Sequence, residues 1–116
     1  MSASQAQALS AIAFQFAAAL QAYEEDVERL LQSRFDPEVY QRTSARMDEM
    51  RMYAAAIPTV SGAWVEVLIR HFEFTHALFR AHQQHCEGGD LPRLHEQLQH
   101  AIERLSQRCL QLVPAP

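Results

Sequence analysis

The sequence predicts an all-α protein, an antiparallel up-down four-helix bundle that forms a single domain over residues 1–116 and is dimeric. Two observations support this prediction. Each of four long stretches repeats apolar residues at alternating spacings of three and four, the pattern of an amphipathic helix. Helix-breaking residues separate these stretches at three places, which are Asp36-Pro37, Pro58 and Gly88-Gly89.

The first predicted helix runs from about Ser4 to Ser33. Its N-terminal half has apolar side chains outside the main apolar face, because Phe14 projects roughly 160° away from Phe16 at 100° per residue. Small side chains such as Ala18 would let another helix approach closely. The main apolar face consists of Leu9, Ile12, Phe16, Leu20, Tyr23, Val27 and Leu30, and an acidic outer face is predicted from Glu24, Glu25, Asp26 and Glu28.

The second predicted helix runs from about Pro37 to Ala56. Asp36 is a good N-cap for it, and Pro37 can open it because the first helical residue needs no N–H partner. Pro58 ends it, since the residue before a proline avoids the α region. Its apolar face is narrow and consists of Tyr40, Thr43, Met47, Met50, Ala54 and Ile57.

The third predicted helix, from about Ser61 to Glu87, has an unusually wide apolar surface. Its apolar residues spread over roughly 220° of the circumference, whereas a surface helix needs an apolar stripe of about 100° or more. The neighbouring helices in one bundle cover about half of a helix surface. The apolar surface of the third helix beyond that half should therefore be covered by another partner. The apolar residues are Trp64, Val65, Val67, Leu68, Ile69, Phe72, Phe74, Leu78 and Phe79.

The fourth predicted helix runs from about Leu91 to Leu112. We expect Gly88-Gly89 to end the third helix with positive φ angles, which glycine adopts without strain. Asp90 should then cap the fourth helix. Its apolar face is again narrow and consists of Leu91, Leu94, Leu98, Ile102, Leu105, Cys109 and Leu112.

Composition argues against two classes of partner. The net charge is −4 and there is no basic run, so we expect no nucleic-acid partner. The uncharged stretch 6–23 is interrupted by Gln15 and Gln21, is too short to span a bilayer and lacks the basic start of a signal peptide. We therefore expect no membrane partner.

The two cysteines indicate a reducing compartment. Cys86 lies beside the predicted glycine turn, and Cys109 lies about 20 residues farther along the chain, about 30 Å away at 1.5 Å per residue. A disulfide needs Cα atoms within about 7 Å. We therefore expect free thiols and a cytoplasmic protein. All fixed positive charges are arginine, which fits a bacterium with a GC-rich genome.

Two histidines, His71 and His82, fall on the apolar face of the third helix. A buried histidine must be hydrogen-bonded or it destabilises the fold. One interpretation is therefore structural, with each histidine bonded to Thr43, Tyr23, Tyr40 or a backbone carbonyl. The alternative is a polar pocket inside the bundle that uses His71 and His82 to bind a metal ion or a small ligand.

Other patterns of reactive residues give weaker signals. Glu73-x-x-His76 matches part of a di-metal motif, but it occurs once and Glu73 projects to the polar side of the helix. His85, Cys86 and His95 could gather at the glycine turn, but their spacing matches no standard zinc site. There is no nucleophile-elbow sequence and no phosphate-binding loop. We expect neither an enzyme nor a resident cofactor.

The surplus apolar surface of the first and third helices favours a role in protein–protein contact. Monomers seldom expose large apolar patches, and a second copy related by two-fold symmetry is the simplest cover. We expect a homodimeric adaptor, regulator or chaperone-like module. The alternative partner is another helical protein. A secretion-associated chaperone or substrate is a further interpretation, from small size, acidity and the uncharged start. The expected interface residues are Phe14, Ala18, Trp64, Val65, Ile69, Phe72 and Phe74.

Overall fold

A computed structural model describes residues 2–33, 35–84 and 89–114 of the chain. These residues form four α-helices, a short 3₁₀ turn at Pro58–Val60 and no strand, which confirms the all-α prediction. The predicted helix bounds agree with the structure to within one residue, except that the predicted end of the third helix, Glu87, lies outside the described residues. The helices are α1 (Ala3–Gln32), α2 (Pro37–Ala56), α3 (Ser61–Gln84) and α4 (Leu91–Gln111).

Local capping chemistry sets the starts of the first two helices. Ser2 and Gln5 form a capping box, in which the Gln5 N–H donates to the Ser2 hydroxyl at 3.2 Å and the Ser2 N–H donates to the Gln5 side chain at 3.0 Å. As predicted, Asp36 caps α2 by accepting from the Glu38 N–H at 2.9 Å, and Pro37 occupies the first turn.

Two expectations about the turns are corrected. Asp90 occupies the N-cap position of α4 but makes no side-chain cap hydrogen bond, because its carboxylate is 3.5 Å from Arg93 instead. Gly89 does not have a positive φ, and Gly88 lies outside the described residues. The described residue with a positive φ is Phe35, at 69°, in the turn between α1 and α2.

The left-handed backbone of Phe35 is offset by aromatic contacts. This conformation costs a residue with a Cβ about 1–2 kcal/mol. The Phe35 ring stacks on Tyr40 with centroids 4.8 Å apart and contacts Phe79 at 5.2 Å. Aromatic pairs at such distances stabilise by about 0.5–1.5 kcal/mol each. The turn is therefore held against the C-terminal half of α3.

The packing of the helices is that of a helical bundle. α1 packs against both α2 and α4, and α3 packs against α4, whereas α2 approaches α3 only at a few points. α2 and α3 meet at Ile57 with a bend of 117°. The molecule is elongated, with extents of 55 × 24 × 24 Å. The side of the bundle between α2 and α3 is therefore the most open one.

The core forms from the predicted apolar faces of the four helices. The face of α1 is buried from Phe16 to Leu30, while Leu9 and Ile12 are partly buried at its start. Phe16 joins two neighbours, contacting the Tyr53 ring at 5.8 Å and the edge of Trp64 at 6.0 Å. The largest fully buried side chains are Tyr23, Phe16, Phe74, Leu20, Leu30, Met50, Ile57, Leu98 and Leu105.

Asp26 was expected on the acidic outer face of α1 but is buried, with 2% of its surface exposed. The reason is that α2 packs on that side of α1 and supplies a cation. The Arg46 Nε lies 3.4 Å from one carboxylate oxygen, and Arg29 lies 3.8 Å from the other. A buried carboxylate without such partners would destabilise the fold.

No single helix among the described residues is long and apolar enough to cross a membrane. α2 and the segment Pro58–Gln84 meet that length and apolarity only when they are taken together, across their bend.

Candidate interaction surface

A second apolar row runs along the side of α3 that faces away from the core. It consists of Val65, Ile69, Phe72, His76 and Phe79, and we call it the outer stripe. Val65 is 48% exposed, Ile69 47%, Phe72 58% and Phe79 40%, and His76 is also exposed. The spacings of four, three, four and three are those of helices that pack side by side. α3 therefore has two apolar rows, of which the bundle covers one.

The outer stripe is open because α2 diverges from α3. A groove of about 710 Å³ lies between the C-terminal half of the stripe and the turn that precedes α2. Its walls are largely aromatic, which is typical of a surface that accepts another apolar side chain or helix. The lining residues are Phe35, Tyr40, Phe72, Glu73, Thr75, His76 and Phe79.

One border of the outer stripe is charged. Arg70 lies between two carboxylates, with Nε 2.8 Å from Glu66 and Nη1 2.9 Å from Glu73. These hydrogen bonds raise the pKa of the Arg70 guanidinium, so it stays charged. Arg80 is exposed on the same border and has no ion-pair partner among the residues that the structure describes.

A separate apolar groove lies between α1 and α4. Phe14 is 61% exposed and Leu110 is 52% exposed, and they border a groove of about 520 Å³. Ala17 and Ala18 lie on the same side of α1, and Ala18 is exposed. Two of the lining residues, Glu24 and Glu103, are acidic.

Two of the expected interface residues, Trp64 and Phe74, lie in the core instead. Trp64 is 6% exposed and Phe74 is completely buried. At 100° per residue both project within about 60° of His71, which points to the centre of the bundle. Trp64 packs against Phe16, and the Phe74 ring lies 5.5 Å from the ring of His95 on α4. The remaining expected residues, Phe14, Ala18, Val65, Ile69 and Phe72, are exposed.

Sequence reasoning missed some members of this surface. His76 and Phe79 complete the row that starts at Val65, and Arg80 completes its charged border. The regular spacing of 65, 69, 72, 76 and 79 is a signal that could have separated this row from the inner one. It was hidden because the inner and outer apolar residues of α3 together merge into one wide arc.

His71 is a buried core histidine that is hydrogen-bonded to Tyr23, one of the partners the sequence suggested. Its Nδ1 lies 2.7 Å from the Tyr23 hydroxyl, and only 3% of the residue is exposed. Burial lowers the pKa of His71 to about 4 and raises the pKa of Tyr23 far above its usual range. The two side chains therefore form a neutral pair at pH 7. The hydroxyl of Thr75 donates to the His71 carbonyl at 2.9 Å.

His82 was expected in the core but is exposed. It lies in the last turn of α3, beyond the part that α1 and α4 cover, and its ring stacks on Phe35 at 6.4 Å. Eleven residues separate His71 from His82, or about 16 Å along a helix. They therefore do not share a site.

A metal site is not formed by the reactive side chains of the described segments. Within these segments no group of three or more His, Cys, Asp or Glu residues is placed to hold a metal ion. His95 lies 2.8 Å from Glu28 of α1, whereas His85 and Cys86 lie outside the described residues. Cys109 is buried with a free thiol, and burial raises its pKa to about 11, so it remains protonated.

Comparison of the chain with protein-family models, with curated proteins and with solved structures gives no match. The fold and the outer stripe define the class, which is a helical bundle with one exposed apolar helix face.

Proposed function

We propose that this protein acts by protein–protein contact, as a homodimeric helical-bundle module that serves as an adaptor, regulator or chaperone-like protein. The observation that carries the proposal is the outer stripe. Four large apolar side chains in one row are each at least 40% exposed. A monomeric protein seldom exposes a contiguous apolar row of this kind, because it favours aggregation.

The proposal includes an up-down order of the four helices. Two helices run in opposite directions when, from one contact between them to the next, the residue number rises in one helix and falls in the other. On this basis α2 runs opposite to α1, α4 runs opposite to α3, and α3 runs in the direction of α1. The contacts between α1 and α2 are Phe16–Tyr53 and Asp26–Arg46. Those between α3 and α4 are Arg70–Gln97 and Phe74–His95. Those between α1 and α3 are Phe16–Trp64 and Tyr23–His71.

A second copy of the chain is the partner that we favour. Two identical apolar rows can cover each other around a two-fold axis without any other component. We place this association in the bacterial cytoplasm, and the free, buried Cys109 supports a reducing compartment.

The test is the oligomeric state in solution. The chain has a mass of 13.2 kDa, so a dimer should have a mass of about 26 kDa by light scattering after size exclusion. Phe72→Gln should shift the protein to the monomer, because it places a polar group in the middle of the stripe. Met52→Gln is the matched control, since Met52 is 75% exposed on α2, outside the stripe.

Two results would contradict the proposal. One is a wild-type protein that remains monomeric at about 100 μM, a concentration that populates even weak dimers. The other is an equal effect of the Phe72 and Met52 substitutions, which would show that the outer stripe is not the contact surface.

A further inference from the structure

We infer that two copies pack α3 against α3 in antiparallel orientation, with Glu66 of one copy beside the partner's Arg80. This inference rests on the proposed homodimer and specifies its geometry. It starts from the charged border of the outer stripe, where Glu66, Glu73 and Arg80 follow one another at intervals of seven residues. Residues seven apart lie on the same side of a helix.

The charge changes sign along this border. Among the residues that the structure describes, Arg70 is the one cation that contacts Glu66 and Glu73, at 2.8 and 2.9 Å, so two carboxylates share one cation in the N-terminal part. Arg80, at the C-terminal end, is exposed and forms no ion pair with any described residue. Each copy therefore offers a negative end and a positive end on one edge of its apolar row.

Only the antiparallel orientation brings these opposite ends together. In a parallel pair the two negative ends would lie at the same level, and so would the two positive ends. In an antiparallel pair the same border of the two helices meets along one edge of the contact, which places Glu66 near the partner's Arg80. It also places Glu73 near the partner's Glu73 at the two-fold axis, where each carboxylate is bonded to the Arg70 of its own copy at 2.9 Å. Two-fold symmetry repeats this pairing, so the complementarity occurs twice.

The apolar residues fit the same alignment. In an antiparallel pair, moving three residues back along one helix corresponds to moving three residues forward along the other. When Phe72 lies level with the partner's His76, Ile69 therefore lies level with the partner's Phe79. These layers each combine two side chains of the outer stripe, whereas Val65 lies level with the partner's Gln83, and no large apolar side chain opposes a charge. The aromatic groove beside Phe79 continues this contact toward Phe35.

The groove between α1 and α4 does not offer this complementarity. Its acidic lining residues, Glu24 and Glu103, lie on facing helices, and none of the described residues that line it is basic. Self-association through this groove would bring like charges together, which disfavours a contact. The second copy is therefore assigned to the outer stripe.

Charge reversal tests the alignment on the full chain. Glu66→Arg and Arg80→Glu should each weaken the dimer about tenfold, since either substitution opposes two like charges twice. An equimolar mixture of the two variants should form a heterodimer within about threefold of wild-type affinity, because the opposed charges are again unlike. Arg104→Glu, an exposed position on α4, is the matched control and should leave the dimer unchanged.

Native mass spectrometry distinguishes the heterodimer from both homodimers by mass, and sedimentation gives the affinities. A wild-type monomer would overturn the proposed function and this inference together. A wild-type dimer that Phe72→Gln disrupts, but that responds to Arg80→Glu no more than to Arg104→Glu, would overturn the antiparallel alignment alone. Failure of the two weakened variants to pair with each other would also overturn it.

Discussion

The inner and outer faces of α3 have similar side chains but very different surroundings. Trp64, Val67, Phe74 and Leu78 on the inner face are at most 6% exposed, whereas Val65, Ile69, Phe72 and Phe79 on the outer face are at least 40% exposed. The difference comes from the neighbours, because α4 packs along one face, which Phe16 and Tyr23 of α1 also contact, and α2 diverges from the other. Apolarity determines that a side chain gains from being covered, and the arrangement of the other helices determines whether it is.

The largest expected difference is between two phenylalanines of the same helix. Phe74→Ala should lower the free energy of unfolding by about 3–5 kcal/mol, because it leaves a cavity in the core. Phe72→Ala should lower it by less than about 1 kcal/mol at concentrations where the protein is monomeric. Urea unfolding followed by circular dichroism measures both. Similar losses for the two variants would mean that the faces are not distinct.

The histidines of the two faces should differ in their effect on acid stability. Burial lowers the pKa of folded His71 to about 4 from an ordinary value of 6.5. Between these values the unfolded chain binds a proton that the folded chain does not. The effect of His71 on the free energy of unfolding is therefore negligible well above pH 6.5. It lowers that free energy as the pH falls toward 4, by about 2–3 kcal/mol at pH 4.5.

This pH effect is measured as the difference between urea unfolding at pH 7.5 and at pH 4.5. His71→Gln should reduce that difference by about 2–3 kcal/mol. His76→Gln, on the outer face, should keep the wild-type difference. If both variants respond alike, the acid sensitivity does not come from the buried His71–Tyr23 pair.

The helix bounds could be predicted from the sequence because the signals that start and end helices are local. Asp36, Pro37 and Pro58 act through their own backbone and their nearest neighbours, and they act in the structure as predicted. The positive φ predicted for the glycine turn is absent at Gly89 and occurs instead at Phe35, whose ring contacts Tyr40 and Phe79.

The candidate surface could be predicted only in part, because cover is a property of neighbours. The sequence identified α3 as too apolar for one bundle but could not assign Trp64 and Phe74 to the covered side. Asp26 shows the same limit for a charge, since its burial depends on Arg46 of α2, 20 residues away along the chain. His82 was expected inside because the periodicity of a helix continues past the end of the helices that cover it.

Two valines give a smaller version of the contrast. Val67 is completely buried and Val65 is 48% exposed. Substitution by alanine removes the same side-chain atoms at both positions. Val67→Ala should cost about 2 kcal/mol of unfolding free energy. Val65→Ala should change the monomer by less than about 0.5 kcal/mol. Because alanine favours helix at both positions, a comparable loss at Val65 would require a contact on the outer face within the single chain.

The smallest expected effect concerns the stability that the outer face contributes through association. A partner that binds only the folded chain stabilises it by mass action, so a dimer becomes more stable as its concentration rises. Raising the wild-type concentration about 100-fold, within the dimeric range, should raise the unfolding midpoint by about 5 °C. Phe72→Gln should abolish this dependence, and Met52→Gln should retain it. A midpoint that does not depend on concentration in the wild type would leave the outer stripe as apolar surface that no second copy covers.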